Sequence, residues 1–234
     1  MGDIMNKFEL KREVSGESLD QLVIDYIITA IGTGQLAEGA KVNEALIAKD
    51  LNISRAPIRE AIKELATQGI LEIEPRKGAR IPVLNEVEIN ETYSLRACLE
   101  SLAVGLAIEH LKAKDINKLA SLSKKMNQTL VADDIKKFIM LNEEFHNIIR
   151  TNSHHAKLQK ILNSFILLAR LYLLMTNQKL LINLKLDEEY GAHDPLVDAI
   201  KKRDVALAKR LMEKHIKKSG DRLIKVLRIE AQND

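Results

Sequence analysis

Two groups of residues in this chain have the types and the spacing to do chemistry. The first is Ser54-Arg55-Ala56-Pro57-Ile58-Arg59. Serine is a preferred helix N-cap and proline is tolerated only in a first helical turn, so a helix is expected to start here. Arg55 and Arg59 stand four apart on one face, while Ile58, Ala61, Ile62 and Leu65 form the opposite, apolar stripe. A short helix with a buried back and two arginines near its N-terminal end suits a DNA major groove, where a bidentate guanidinium pairs with guanine. The plainer reading of the same arginines is a solvated helix face.

The second group is Asn142, His146, His193 and His215. Asn142 and His146 are one helical turn apart. His193 and His215 flank a turn near Arg203-Asp204, ten residues before it and eleven after it. At about 1.5 Å rise per residue an antiparallel helix pair brings both to the same level. Three imidazoles and an oxygen ligand suit a divalent metal such as Zn or Ni. The plainer reading is structural histidine. A metal-dependent enzyme using His146, His193 and His215 is the alternative, since a metal-bound water can be nucleophilic. Against it, Glu143 and Glu144 are rotated off the His146 face, and Glu189, four residues before His193, is placed to orient that ring instead. His110, His154 and His155 carry no such pattern and read as surface or loop residues.

These residues need elements to hold them. Helical spacing predicts helices near Ser18–Thr33, Asn43–Leu51 and Ser54–Gln68. Two short alternating runs, 70–74 and 79–83, flank Pro75-Arg76-Lys77-Gly78 and read as a β-hairpin. Helix, helix, reading helix and hairpin is the order of a winged helix-turn-helix. Beyond a junction at residues 82–85 helical patterning dominates, with helices expected near 86–110, 115–131, 134–151, 155–175, 186–202 and 204–229. The expected fold is therefore mainly α: a winged helix-turn-helix over residues 1–84 and an all-α six-helix bundle over 85–234.

Composition narrows the function further. Aromatic content is 3%, with no Trp, which favours helix packing over sheets. The single cysteine, Cys98, excludes an intramolecular disulfide and fits a reducing compartment. Residues 1–11 have no apolar signal core, and the most lipid-like run, 165–175, is interrupted by Arg170 and too short to span a bilayer. The expected location is cytoplasmic, with no membrane partner. The net charge is +3, yet residues 1–84 hold eleven basic and thirteen acidic side chains. Bulk charge thus does not argue for DNA. Local clustering does, at Arg55/Arg59/Lys63 and Arg76/Lys77/Arg80.

Residues 19–83 resemble the N-terminal domain of the GntR family of bacterial transcription regulators. The resemblance rests on "GTGQLAEGAKVNE", "ALIAKDLNI", "SRAPIREAIKELATQGIL" and "RKGARI". The C-terminal half resembles the FadR-type, or FCD, effector domain, through "YSLRACLESLAVGLA", "NEEFHNII", "HDPLVDAI" and "MEKHI". Six helices there make it similar to the shorter VanR-like branch of the FadR subfamily. The resemblance implies a DNA-binding regulator, more often a repressor, and not an enzyme. It implies a homodimer on an inverted-repeat operator in double-stranded DNA, controlled by a small organic acid. Ser54, Arg55, Ala56, Pro57 and Arg59 match positions that face DNA, and Lys77 and Gly78 match the wing tip. Ala56 stands where threonine is frequent, which removes one hydroxyl contact. Asn142 stands where metal-binding relatives commonly have aspartate, which removes a negative charge from the ligand set. Arg96 matches a position lining the effector cavity, with Tyr93 beside it. A plain i,i+4 pair with Glu100 is the other reading of Arg96.

Overall fold

In a computed structural model that describes residues 18–131, 135–176 and 193–233, the chain forms nine helices and one two-stranded sheet among those residues. It divides into two compact units: Met1–Leu84 with Arg170–Met175, and Asn85–Ala169 with Thr176–Asp234.

In the first unit, α1 (Leu19–Gly32), α2 (Glu44–Leu51) and α3 (Arg55–Thr67) precede β1 (Glu72–Glu74) and β2 (Gly78–Arg80). The core is the apolar stripe that the spacing exposes: Leu22, Val23, Ile27 and Ile31 of α1 against Ile58, Ala61, Ile62 and Leu65 of α3. Burying such side chains is worth about 1.5–3 kcal/mol each before chain entropy is counted. Asn43 caps α2 as expected, accepting from the backbone N–H groups of Ala45 and Leu46 at 3.0 and 3.1 Å. Asn52 ends α2 at φ 49, the left-handed conformation that asparagine tolerates, and this makes the tight turn into α3. Tyr26 ties α1 to α2 by donating to Asp50 Oδ2 at 2.6 Å. Burial and the Asp50 carboxylate push that phenol up to about 12.

The hairpin is shorter than the alternation predicts. Three residues pair on each side, in the antiparallel register Glu72↔Arg80, Ile73↔Ala79 and Glu74↔Gly78. Ile70 and Leu71 donate their N–H groups to Leu65 O at the end of α3, and Pro82 has none to give, so the ladder stops short. Residues 79–81 also bond to the segment before α2, through Val42 N–H to Ala79 O and Ile81 N–H to Ala40 O, so this strand has partners on both sides. Gly78 sits at φ 91 with nothing within 4 Å of an added Cβ, so backbone conformation rather than space calls for glycine there.

The second unit holds α4 (Glu86–His110), α5 (Ala113–Val131), α6 (Ile135–Asn152), α7 (Ala156–Met175) as far as Ala169, α8 (Asp194–Lys201) and α9 (Val205–Asn233). Asn85 caps α4 through Glu88 N–H at 2.9 Å, and Asp204 caps α9 through Leu207 N–H at 2.9 Å. The helix expected to start at Asp115 starts two residues earlier, because Asp115 reaches back to accept from Lys112 N–H at 3.0 Å. Residues 186–192 of the expected 186–202 helix, Glu189 among them, lie outside the described residues. His155 departs from its reading as a plain loop residue: its Nδ1 accepts from Leu158 N–H at 3.2 Å and so caps α7.

Helix α9 runs along α4, and the approach is close where Gly220 meets Tyr93. A methyl group on Gly220 would stand 2.8 Å from Tyr93 Cβ. Arg203, in the turn between α8 and α9, donates to the Ile108 and Leu111 carbonyls and so closes the C-terminal end of α4. Helix α6 packs on both α5 and α4, and α8 on both α5 and α9. Those pairings converge on the histidines.

Candidate nucleic-acid interface and buried histidine site

Ser54 is the N-cap of α3 in backbone conformation, at φ −70 and ψ 164, but its side chain makes no capping hydrogen bond. The hydroxyl therefore stays available for another partner, beside the unsatisfied N–H groups of a helix N-terminus. Arg55 and Ala56 are exposed and Pro57 is half-buried, while Ile58 is fully buried behind them. Arg55 takes part in no ion pair among the described residues. Arg59 differs: its Nε donates to Glu44 Oε2 at 3.1 Å, across from α3 to the first residue of α2.

The wing is less positive than its sequence suggests. Arg80 is clasped by Glu72 at 2.7 Å and Glu74 at 2.9 Å, and Lys77 pairs with Glu74 at 3.3 Å. The expected cluster Arg76/Lys77/Arg80 is thus largely neutralised. The alternation that forms the hairpin places Glu72 and Glu74 on the same face as Arg80. Lys77 and Gly78 do stand at the turn between β1 and β2.

In the helical unit, ligand atoms of His146 (α6), His193 (at the start of α8) and His215 (α9) all lie within 4.8 Å of one another. His146 and His193 are buried and His215 is half-buried. The rings of His146 and His215 stack, with centroids 5.4 Å apart, and Phe145 closes the space beside His193 at 4.5 Å. His193 is held from its neighbour: Asp194 accepts from Ser123 Oγ and from Asn127 Nδ2, both on α5. Asn142 is half-buried, one turn before His146 on the same face of α6.

Glu100 of α4 lies behind the trio, fully buried. Burial acts to raise its carboxyl, but the facing His146, Arg96 and Arg150 outweigh that and bring it down to about 2. The carboxylate can only accept, so His146 Nδ1, at 3.3 Å from Glu100 Oε2, carries the hydrogen. In the neutral ring this leaves the lone pair on Nε2, which is buried with no hydrogen-bond partner. His215 is pushed well below its ordinary value, first by burial and then by the neighbouring His193 and His146, so its ring is neutral and could ligate a cation. A carboxylate behind the ligating ring, an unmet imidazole nitrogen and a neutral third ring fit a divalent cation.

Arg96 and Tyr93 stand beside this cluster on α4, both buried. Arg96 Nη2 reaches Glu100 Oε1 at 3.5 Å, its guanidinium lies 4.9 Å from the centre of the Tyr93 ring, and its Nε has no partner. Burial pushes the Tyr93 phenol up against the pull of Arg96, which keeps it neutral. The i,i+4 pair of Arg96 with Glu100 is therefore formed, and it is buried beside the histidines. Sequence reasoning missed two members. Glu100 figured only as a helix partner of Arg96, and Arg150, buried one turn beyond His146, did not figure at all. The signal for Arg150 was its i+4 spacing from His146.

Comparison with known proteins agrees with both halves. The family model for bacterial regulatory proteins of the gntR family matches residues 3–81, and that for the FCD domain matches residues 91–218. The chain is 29% identical to a probable D-xylose utilization operon transcriptional repressor of Paenarthrobacter nicotinovorans, over 83% of this chain and 84% of that protein. It is 30% identical to the gluconate operon transcriptional repressor of Bacillus subtilis (strain 168), over 76% of this chain and 73% of that one. The fold is similar to that of Escherichia coli McbR/YncC, at a TM-score of 0.68 and 22% identity, over 89% of this chain and 98% of that one. These families and relatives are regulators, which sets the enzyme alternative aside. No helix among the described residues is long and apolar enough to cross a membrane. The chain belongs to the GntR family of bacterial regulatory proteins, as a DNA-binding transcription regulator with an FCD domain.

Proposed function

We propose that this regulator is a cytoplasmic, homodimeric repressor of the FadR subfamily, in its VanR-like branch, controlled by a small organic acid at a metal-containing site in the helical domain, residues 85–234. The observation that carries the reading is the convergence of His146, His193 and His215 with Glu100 behind them. Those three rings, with Asn142 as a neutral oxygen donor, would hold Zn or Ni. The bound cation would supply a Lewis-acid centre for a carboxylate. Arg96 contributes a guanidinium with an unmet Nε, and Tyr93 a neutral phenol.

The DNA half of the reading uses Ser54, Arg55, Ala56, Pro57 and Arg59 on α3 and Lys77 and Gly78 on the wing, within residues 1–84. Two copies would read an inverted repeat, because protein symmetry is mirrored in the operator. Support for a homodimer comes from α4, whose outer face leaves Val87, Leu95 and Leu102 exposed at spacings of eight and seven residues. Repression fits the two operon repressors to which the chain is similar. An acid that binds one arrangement of the dimer better than another shifts DNA affinity by that difference.

The test joins thermal shift to a mobility-shift assay. Adding Zn or Ni to chelator-treated protein should raise Tm, and His193→Ala should abolish the rise. Unchanged stability on metal addition and removal would sink the metal site. Binding to a palindromic fragment as a single chain would sink the dimer.

A further inference from the structure

The buried charges of the helical unit do not balance. Among the described residues, the buried Arg, Lys, Asp and Glu side chains are Arg96, Glu100 and Arg150, and both arginines lie in the field of Glu100. Two are cations and one is an anion. A guanidinium does not release its proton, so neither arginine can escape burial by becoming neutral.

Glu100 does not satisfy both arginines. One of its oxygens faces Arg96 at 3.5 Å and the other faces His146 at 3.3 Å. Arg150 has Nη2 on Asn147 Oδ1 at 3.3 Å, a neutral acceptor that offsets no charge. Glu143, the next acid in its field, is exposed. Arg150 is only 5% exposed, and it shares with Arg96 both the field of Glu100 and mutual repulsion. The three histidine rings do not correct the excess, and a divalent cation among them would add two more positive charges. One carboxylate is too little for such a site. Its donors also come from two elements, Arg96 from α4 and Arg150 from α6.

We propose that Arg150 is a second anion anchor beside Arg96, and that the effector is an organic dianion, a dicarboxylate, rather than a monocarboxylate. This rests on the organic-acid reading above and narrows it. One carboxylate of the ligand meets the metal and Arg96. The other meets Arg150, which is thus a specificity-determining residue rather than a structural ion.

The test is calorimetry on the Zn-loaded full chain with matched probes: malonate, succinate and glutarate against propionate, butyrate and valerate. At least one dicarboxylate should bind ten-fold or more tightly than its monocarboxylate of equal length. In Arg150→Gln that ratio should fall close to one, because the dicarboxylate loses more affinity than its matched monocarboxylate. Equal affinity within every matched pair overturns the dianion and leaves the organic-acid reading standing. A ratio that survives in Arg150→Gln overturns the role of Arg150. Failure of all six acids to bind removes the organic-acid reading and this inference with it. The matched pairs use the unsubstituted protein, so a poorly folding variant does not protect the idea.

Discussion

The candidate DNA interface and the histidine cluster both involve arginines, and they keep them in opposite environments. On α3 and the wing, Arg59, Lys77 and Arg80 lie at the surface, held by Glu44, Glu74 and Glu72. Water screens these pairs, so each can be exchanged for a phosphate or a base edge at little cost. In the helical unit Arg96 and Arg150 are buried with one carboxylate between them. There the charges cannot be exchanged for water and must find a partner of fixed geometry. A DNA reader needs the first arrangement, because it must bind and leave. The second arrangement suits the proposed ligand sensor, because unmet donors would favour a bound state.

Removing one carboxylate from each region should separate the two most clearly. Glu100→Ala leaves two buried guanidiniums without a counter-charge, and a loss of about 3–5 kcal/mol in unfolding free energy is expected, read by denaturant titration. A loss below about 1 kcal/mol would mean that water already solvates the site. The next effect lies in DNA binding. Arg55→Ala should weaken operator binding by about 1–3 kcal/mol, relax specificity at one base position and leave stability unchanged. A uniform loss across all sequences would instead make Arg55 a phosphate contact. The smallest effect belongs to Glu44→Gln. Its partner Arg59 is well exposed, so stability should change by about 0.5 kcal/mol or less. DNA affinity should rise a few-fold, because Arg59 no longer has a competing carboxylate. A fall in affinity would show that Glu44 instead holds Arg59 in its reading position.

Much of this was legible in the sequence where local rules decide. Asn43 and Asp204 cap their helices as their types predict, and the stripe of Ile58, Ala61, Ile62 and Leu65 is buried in full. Other features were not legible because they depend on distant chain. The neutralisation of Arg80 needs the register of β1 against β2. The His155 cap needs a ring nitrogen to stand in for the usual oxygen. Glu100 is 46 residues from His146, and no spacing rule joins them.

The sequence by itself determined the element order and several helix starts, and it singled out two candidate groups of residues, because capping, turn chemistry and apolar period act within a few residues. It also supplied a level match of His193 with His215 from counting along one hairpin. Only the tertiary structure decided which charges are buried and which are solvated. That depends on α4, α6 and α9 coming together, so that burial turns an ordinary i,i+4 pair, Arg96 and Glu100, into the support of a site. It also decided that Arg150 is buried in the field of Glu100, since the cost of a charge is set by what surrounds it and not by its neighbours in the chain.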